Sequence, residues 1–214
     1  MLTLFGITSI TYGLTLSLRF YFDSIPRINH IIMEYTGLLS FVYLCAVMVT
    51  GTRWSFVTSI YENKTKQMLA HKYFAIAAVL LGVVHYVYFN YGRFLFDFSN
   101  NQRGQRGLHH AHEQGFSLKM LSHPVGEIAL FILIVILVIG LNRRLGFKTL
   151  KKFHIISGLA FLLAAFHSIV LLPDRFTYVP VWLLCLLALA PAGYCAVMQI
   201  TGRLNKKKPQ SRLG

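Results

Sequence analysis

The sequence predicts an all-α fold, an integral membrane bundle of six helices. Of its 214 residues, 55% are hydrophobic and 13% are charged, and the mean hydropathy is +0.56. A soluble domain carries about 25% charged residues. Six mostly apolar runs approach the ~20 residues that a helix needs to cross the hydrocarbon of a bilayer, and basic clusters separate them. Without a soluble domain to present a basic face, the net charge of +14 does not indicate a nucleic-acid partner.

We number the six runs as spans one to six in chain order. Span one is the most polar, because Thr and Ser are frequent in it and Arg19 lies near its end. It lacks the basic start of a secretory signal and is interpreted as an uncleaved membrane helix. Pro191 in span six predicts a kink. One membrane domain is expected over 1–201, with a basic cytoplasmic tail at 202–214. The spans cover residues 2–22, 30–50, 67–91, 124–141, 153–172 and 179–199.

Lysine and arginine are unevenly divided between the two sides of this predicted bundle. Thirteen follow spans two, four and six, whereas six follow spans one, three and five. Cytoplasmic loops carry the excess of basic residues, so both termini are predicted to face the cytoplasm of a bacterial inner (plasma) membrane. Spans three and five then both run outward from the cytoplasm.

Some polar side chains interrupt the spans. Glu34, Tyr43 and Glu127 are expected to form hydrogen bonds at helix ends or between helices, which is favoured over a catalytic role.

Three cysteines lie in apolar runs and are interpreted as packing residues. They form no CxxC pair and have no zinc-site spacing. These cysteines are Cys45, Cys185 and Cys195.

Spans three and five each carry two histidines. His71 and His85 are 14 residues apart, which a helix converts into about 21 Å and an offset of about 40°. His154 and His167 are 13 residues apart. An ionisable side chain within a membrane helix is costly and suggests function. Because the two spans run in the same direction, His71 is predicted to face His154 near the cytoplasmic side, and His85 to face His167 near the outer side.

Two such pairs favour haem iron as the bound group. A neutral imidazole is a good haem ligand, and two give a six-coordinate centre that passes electrons without binding substrate. No CxxCH motif is present, so two b haems are expected, stacked across the bundle and held without covalent bonds. A single histidine in a membrane helix is often only hydrogen-bonded to a neighbour, but two depth-matched pairs favour ligands.

The spacing in span five departs from a single helix face. Thirteen residues place His167 about 140° around the helix from His154. Either span five is distorted near Ser157 and Gly158, or the two haems lie against different flanks of it. Aromatic side chains are expected to help fill the gap between the haems; these are Phe74, Phe161 and Phe166.

The topology and the histidine spacings resemble the ferric reductase-like transmembrane domain shared by ferric-chelate reductases and NADPH oxidases. A more distant similarity is to the haem subunit of periplasmic methionine-sulfoxide reductase systems. That family has six helices with paired histidines on the third and fifth, and the matching positions here are His71, His85, His154 and His167. The resemblance implies a cytochrome b, an oxidoreductase that moves electrons outward across the membrane.

One feature of the family is missing from the sequence. Family members that need no separate reductase continue into a cytosolic module that binds FAD and NAD(P)H. The dinucleotide-binding motif GxGxxG does not occur in this sequence. The resemblance therefore implies a separate donor, which is a flavoprotein reductase with FAD or FMN, or a quinol. Alternatively a flavin module is missing, and residues 203–214 would serve as its linker.

The outer loop and the span ends hold further candidates. His109, His110 and His112, with Glu113, could hold a metal ion and deliver Fe(III) or Cu(II), although a solvated polar loop is the favoured interpretation. His123 precedes Pro124 and is taken as the start of span four. Haem propionates are expected to meet basic residues, which are Arg93 and Lys119 outside and Lys72 and Arg53 inside.

Three functions remain open on the sequence. The preferred one is transfer of electrons from a cytoplasmic flavin or NAD(P)H donor to ferric iron outside, with oxygen or a periplasmic redox protein as other acceptors. The second is a haem-binding membrane anchor that relays electrons to a partner oxidoreductase without turnover of its own. The third is a transporter or channel whose histidines line a proton path.

Overall fold

A computed structural model of the chain describes residues 1–22, 28–52, 54–96, 118–142, 147–173 and 176–201, and nearly all of them are helical. Six long helices lie where the six spans were predicted. A short additional helix follows the second of them, and a 3-10 turn, Phe176–Tyr178, precedes the last. The α-helices are α1 (Leu2–Phe22), α2 (Ile28–Thr50), α3 (Ser55–Ile60), α4 (Lys64–Phe96), α5 (Leu118–Leu141), α6 (Phe147–Leu171) and α7 (Val179–Ile200).

Four of these helices are long and apolar enough to cross a membrane within the described ranges. Their apolar segments are His30–Thr50, Lys64–Tyr91, Met120–Leu141 and Val179–Met198. Among the described side chains, the apolar part of α6 is shorter, Ile155–Leu171. The protein is therefore a multi-pass membrane protein with an all-helical fold, whereas six full crossings stay a prediction.

Helix α2 is the central element of the bundle. It packs along α4 and also contacts α1, α6 and α7, while α5 packs along α6. The core between these helices includes Phe41, Tyr43 and Met48 of α2, together with Phe74 and Phe161. The ring centroids of Tyr43 and Phe74 are 5.7 Å apart. The faces turned away from this core carry exposed large apolar side chains, as lipid-facing surfaces do.

The three cysteines are buried and unpaired, which agrees with their interpretation as packing residues. Cys195 has no exposed surface and Cys45 is 3% exposed. Pro191 lies inside α7, and the helix continues through it.

Gln67 joins the end of α2 to the start of α4. Its Nε2 donates to the carbonyl oxygens of Thr50, at 2.8 Å, and Thr52, at 2.7 Å. Thr58 in α3 donates to Gln67 Oε1 at 2.8 Å. The last carbonyls of a helix have no partner within that helix, so Gln67 supplies the donors that water would provide at an open helix end. This junction lies one turn before His71.

Candidate metal centre

Three of the four predicted ligands have described side chains. His71 and His85 lie on α4 and His167 lies on α6, all partly buried. His154 also lies within α6, but its side chain is outside the described residues. The predicted pairing of His71 with His154 therefore stays a prediction.

His85 and His167 lie together in the bundle. Their ring centroids are 6.3 Å apart and the ring planes cross at 82°. Two imidazoles on opposite sides of one metal, each nitrogen about 2 Å from it, have centroids about 6 Å apart. The separation of the two rings thus fits two ligands of a single metal.

A cavity of about 370 Å³ contains both rings. Cofactor sites in proteins typically measure about 300–1,000 Å³ and are mostly apolar. Here the apolar lining comes mainly from α2 and α5, and it includes Leu38, Phe41, Leu44, Leu130 and Leu133. The volume of the cavity lies within this range, and most of its lining is apolar.

Each described ligand candidate is oriented by a backbone carbonyl. The Nδ1 atom lies 2.8 Å from the oxygen of Met33 in His85, 2.7 Å from that of Ser122 in His167, and 3.0 Å from that of Val47 in His71. A carbonyl can only accept, so Nδ1 is the donor in each bond. In a neutral imidazole the lone pair is then on Nε2, the atom left for a metal.

A glycine four residues after each carbonyl makes these bonds possible. In an α-helix the carbonyl of residue i points towards residue i+4, so a side chain at i+4 would cover it. A Cβ on Gly37 would lie 2.7 Å from Nδ1 of His85, and one on Gly51 would lie 3.1 Å from the His71 ring. A Cβ on Gly126 would come still closer to the His167 ring. The carbonyl–glycine pairs are Met33 and Gly37, Val47 and Gly51, and Ser122 and Gly126.

Gly37 in α2 and Gly51, the residue directly after α2, match the two histidines of α4. Gly37 and Gly51 are 14 residues apart, as are His71 and His85, and each glycine lies beside one histidine ring. These glycines were not predicted from the sequence. The signal that could have identified them was the equal spacing of the glycines and the histidines.

His123 is a third histidine at the same cavity. Its ring centroid is 6.2 Å from that of His167, and its ring stacks on Phe89 with centroids 4.8 Å apart. His123 was predicted to begin a span, but α5 begins at Leu118. His123 therefore lies one turn inside the helix, facing the cavity that also contains Glu127.

Glu34 forms the polar end of this cavity. Its Oε2 accepts from Arg19 Nη1 at 2.7 Å and from the Tyr12 hydroxyl at 3.0 Å. Its Oε1 accepts from the Tyr178 hydroxyl at 2.7 Å and lies 3.1 Å from His30 Nδ1. The interhelical hydrogen bonding predicted for Glu34 is confirmed. The carboxylate ties α1, α2 and the 3-10 turn together beside the cavity.

Replacing Glu34 by leucine is expected to lower the free energy of unfolding by about 3–5 kcal/mol, because the Arg19 charge would remain buried without its partner. The Arg19 and Glu34 side chains are 10% and 15% exposed. The double variant Arg19→Met/Glu34→Leu is expected to recover most of that loss. Thermal unfolding in detergent measures both. Equal destabilisation by the two variants would show that the pair does not act as a unit.

Several other predicted residues lie outside the described part of the chain. Lys72 is described and exposed, whereas the side chains of Arg53, Arg93 and Lys119, the tail at 202–214, and the loop residues His109, His110, His112 and Glu113 are not. Among described residues, no three His, Cys, Asp or Glu side chains form a group that could hold a metal ion by themselves.

The sequence matches one protein-family model over more than half of its length. The family model for the ferric reductase like transmembrane component matches residues 36–165. The matched region contains His71, His85 and His154, and His167 lies two residues beyond it. No curated protein matches the sequence.

Proposed function

The chain belongs to the ferric reductase-like transmembrane family, and on that premise we propose that it is a two-haem cytochrome b that transfers electrons outward across a bacterial inner membrane. The preferred acceptor is ferric iron. The observation that carries this proposal is the pair His85 and His167, whose rings are 6.3 Å apart in the cavity. Each ring has Nδ1 bound to a backbone carbonyl, which leaves Nε2 for a metal.

The surrounding residues fit haem as the bound group. His85 and His167 would hold the haem through their Nε2 atoms. The apolar lining from α2 and α5 suits the faces of such a ring. Haem supplies one-electron chemistry when bound, and the axial ligands, burial and hydrogen bonds set its potential.

The chain's own residues hold and insulate the two centres. His85 and His167 hold the outer centre, and His71 with His154 would hold the inner one. With these imidazoles bound, the irons would have no open position for substrate and would only pass electrons. Phe74 and Phe161, both buried in the core, would keep water from the space between the centres.

The donor is proposed to act from the cytoplasmic side. A separate flavoprotein carrying FAD or FMN, or a quinol, would reduce the centre held by His71. Both termini are proposed to face the cytoplasm, because most of the basic loop residues lie on that side of the predicted topology.

The absorption spectrum of the purified protein tests the cofactor. We expect a b-type spectrum and two haems per chain, and a preparation reconstituted with haem that lacks this spectrum would contradict the proposal. Reduction by a flavin reductase, followed by addition of an Fe(III) chelate, tests the acceptor. Fast reoxidation is expected for a ferric reductase, whereas slow reoxidation would favour a membrane anchor that needs a partner oxidoreductase.

A further inference from the structure

Two imidazoles lie at nearly equal distances from His167. The ring centroid of His123 is 6.2 Å away and that of His85 is 6.3 Å away. The ring planes cross that of His167 at 73° and 82°. All three rings line one cavity. The separation that fits two ligands of one metal is therefore met twice, with His167 common to both pairs.

Two contacts keep His123 beside this pair. Its ring lies over Phe89 with 21° between the planes, and Phe89 is one helical turn after His85 on α4. The carbonyl of Ser122, the residue before His123, accepts the bond from His167 Nδ1. His123 is thus linked to the element that carries His85 and to the residue that orients His167.

On the basis of the proposed function, we infer that His123 is a reserve ligand of the outer centre, able to replace His85 opposite His167. The exchange needs a rotation of the His123 side chain and the loss of its stack on Phe89. A second neutral imidazole then occupies the vacated position, so the centre stays six-coordinate. Among the described residues, His167 has no such substitute, because it is the shared member of both pairs.

His30 also lines the cavity, but its partner differs from that of His123. The Nδ1 atom of His30 lies 3.1 Å from Glu34 Oε1, which holds the ring beside this carboxylate. His30 is therefore the matched control, a cavity imidazole that is not expected to reach the outer centre.

Haem content and electron paramagnetic resonance spectra of purified variants test the inference. His85→Ala is expected to keep two haems per chain, with a displaced low-spin signal for the outer one. His85→Ala/His123→Phe is expected to keep one, since phenylalanine preserves the stack on Phe89 but offers no nitrogen. His85→Ala/His30→Ala is expected to behave as His85→Ala does. Haem added together with free imidazole is expected to restore the outer low-spin signal of the His85→Ala/His123→Phe variant.

Two results would overturn the inference. The first is loss of the outer haem from His85→Ala to the same extent as from the double variant with His123→Phe. The second is loss of the outer haem from His123→Phe alone, since His85 would then not suffice. The inner haem held by His71 reports that each variant is folded. Absence of haem from the wild-type protein contradicts the proposed function itself and is distinguished from both of these results.

Discussion

Replacing His167 by alanine is expected to remove the outer haem and to stop reduction of an external acceptor. His167 lies 6.3 Å from His85 and 6.2 Å from His123, measured between ring centroids. It is the common partner in both pairs, so its loss would leave His85 and His123 each without the described imidazole that it faces. The inner haem should remain and should still be reduced by the donor. Haem content, together with reoxidation of the reduced protein by an Fe(III) chelate, measures both effects.

Ser168→Ala is the matched control for this variant. Ser168 is adjacent to His167 on α6 and lines the same cavity, but it offers no ligand for haem iron. We expect it to keep both haems and to be reoxidised at the wild-type rate. Full haem content in His167→Ala would show that the outer centre is not held by His167, and the assignment of the site would then be wrong.

Replacing Gly126 by alanine is expected to weaken outer-haem binding about 10–100-fold, the usual effect of removing a contact that orients a metal ligand. The added Cβ would overlap the His167 ring and displace Nδ1 from the Ser122 carbonyl. Alanine is favoured over glycine in a helix by about 1 kcal/mol. Haem affinity is therefore expected to fall even though the substitution favours the helix. Titration of the haem-depleted protein with haem measures the affinity.

Gly140→Ala on the same helix is the control, because no described atom lies within 4 Å of a Cβ at that position. It is expected to leave outer-haem affinity unchanged. Gly37→Ala is expected to be milder than Gly126→Ala, since it displaces His85, for which His123 can substitute. Equal effects of Gly126→Ala and Gly140→Ala on haem affinity would show that Gly126 does not position the His167 ring.

The helices could be predicted closely from the sequence. The limits of α1 coincide with the predicted span at 2–22. Helices α2, α4, α5 and α6 begin two to six residues before their predicted spans, in sequence that contains polar or basic residues. A polar turn is compatible with a helix but not with the hydrocarbon, so hydropathy marks the apolar part of a helix and misses its ends. For the same reason α3, a helix of six residues between two spans, was not predicted.

The candidate site was predicted only in part. His85 and His167 could be placed together because two helices of the same direction bring equal depths together. The role of Gly37, Gly51 and Gly126 was not recognised, because glycine occurs in and beside membrane helices for many structural reasons. His123 was assigned to a helix end, since its distance from His167 depends on how α5 packs on α6.

What the sequence determined by itself is the class of protein, the positions of the spans and the histidines at two depths. These follow from hydropathy and helical rise, which depend only on residues close together in the chain. The tertiary structure decided which carbonyl orients each imidazole, which glycine admits it, and that a third histidine shares the outer cavity. Such contacts join residues 24 to 52 positions apart, and they depend on the rotation of one helix against another. Hydrophobic periodicity does not determine that rotation in helices whose outer faces are covered by lipid as apolar as the core.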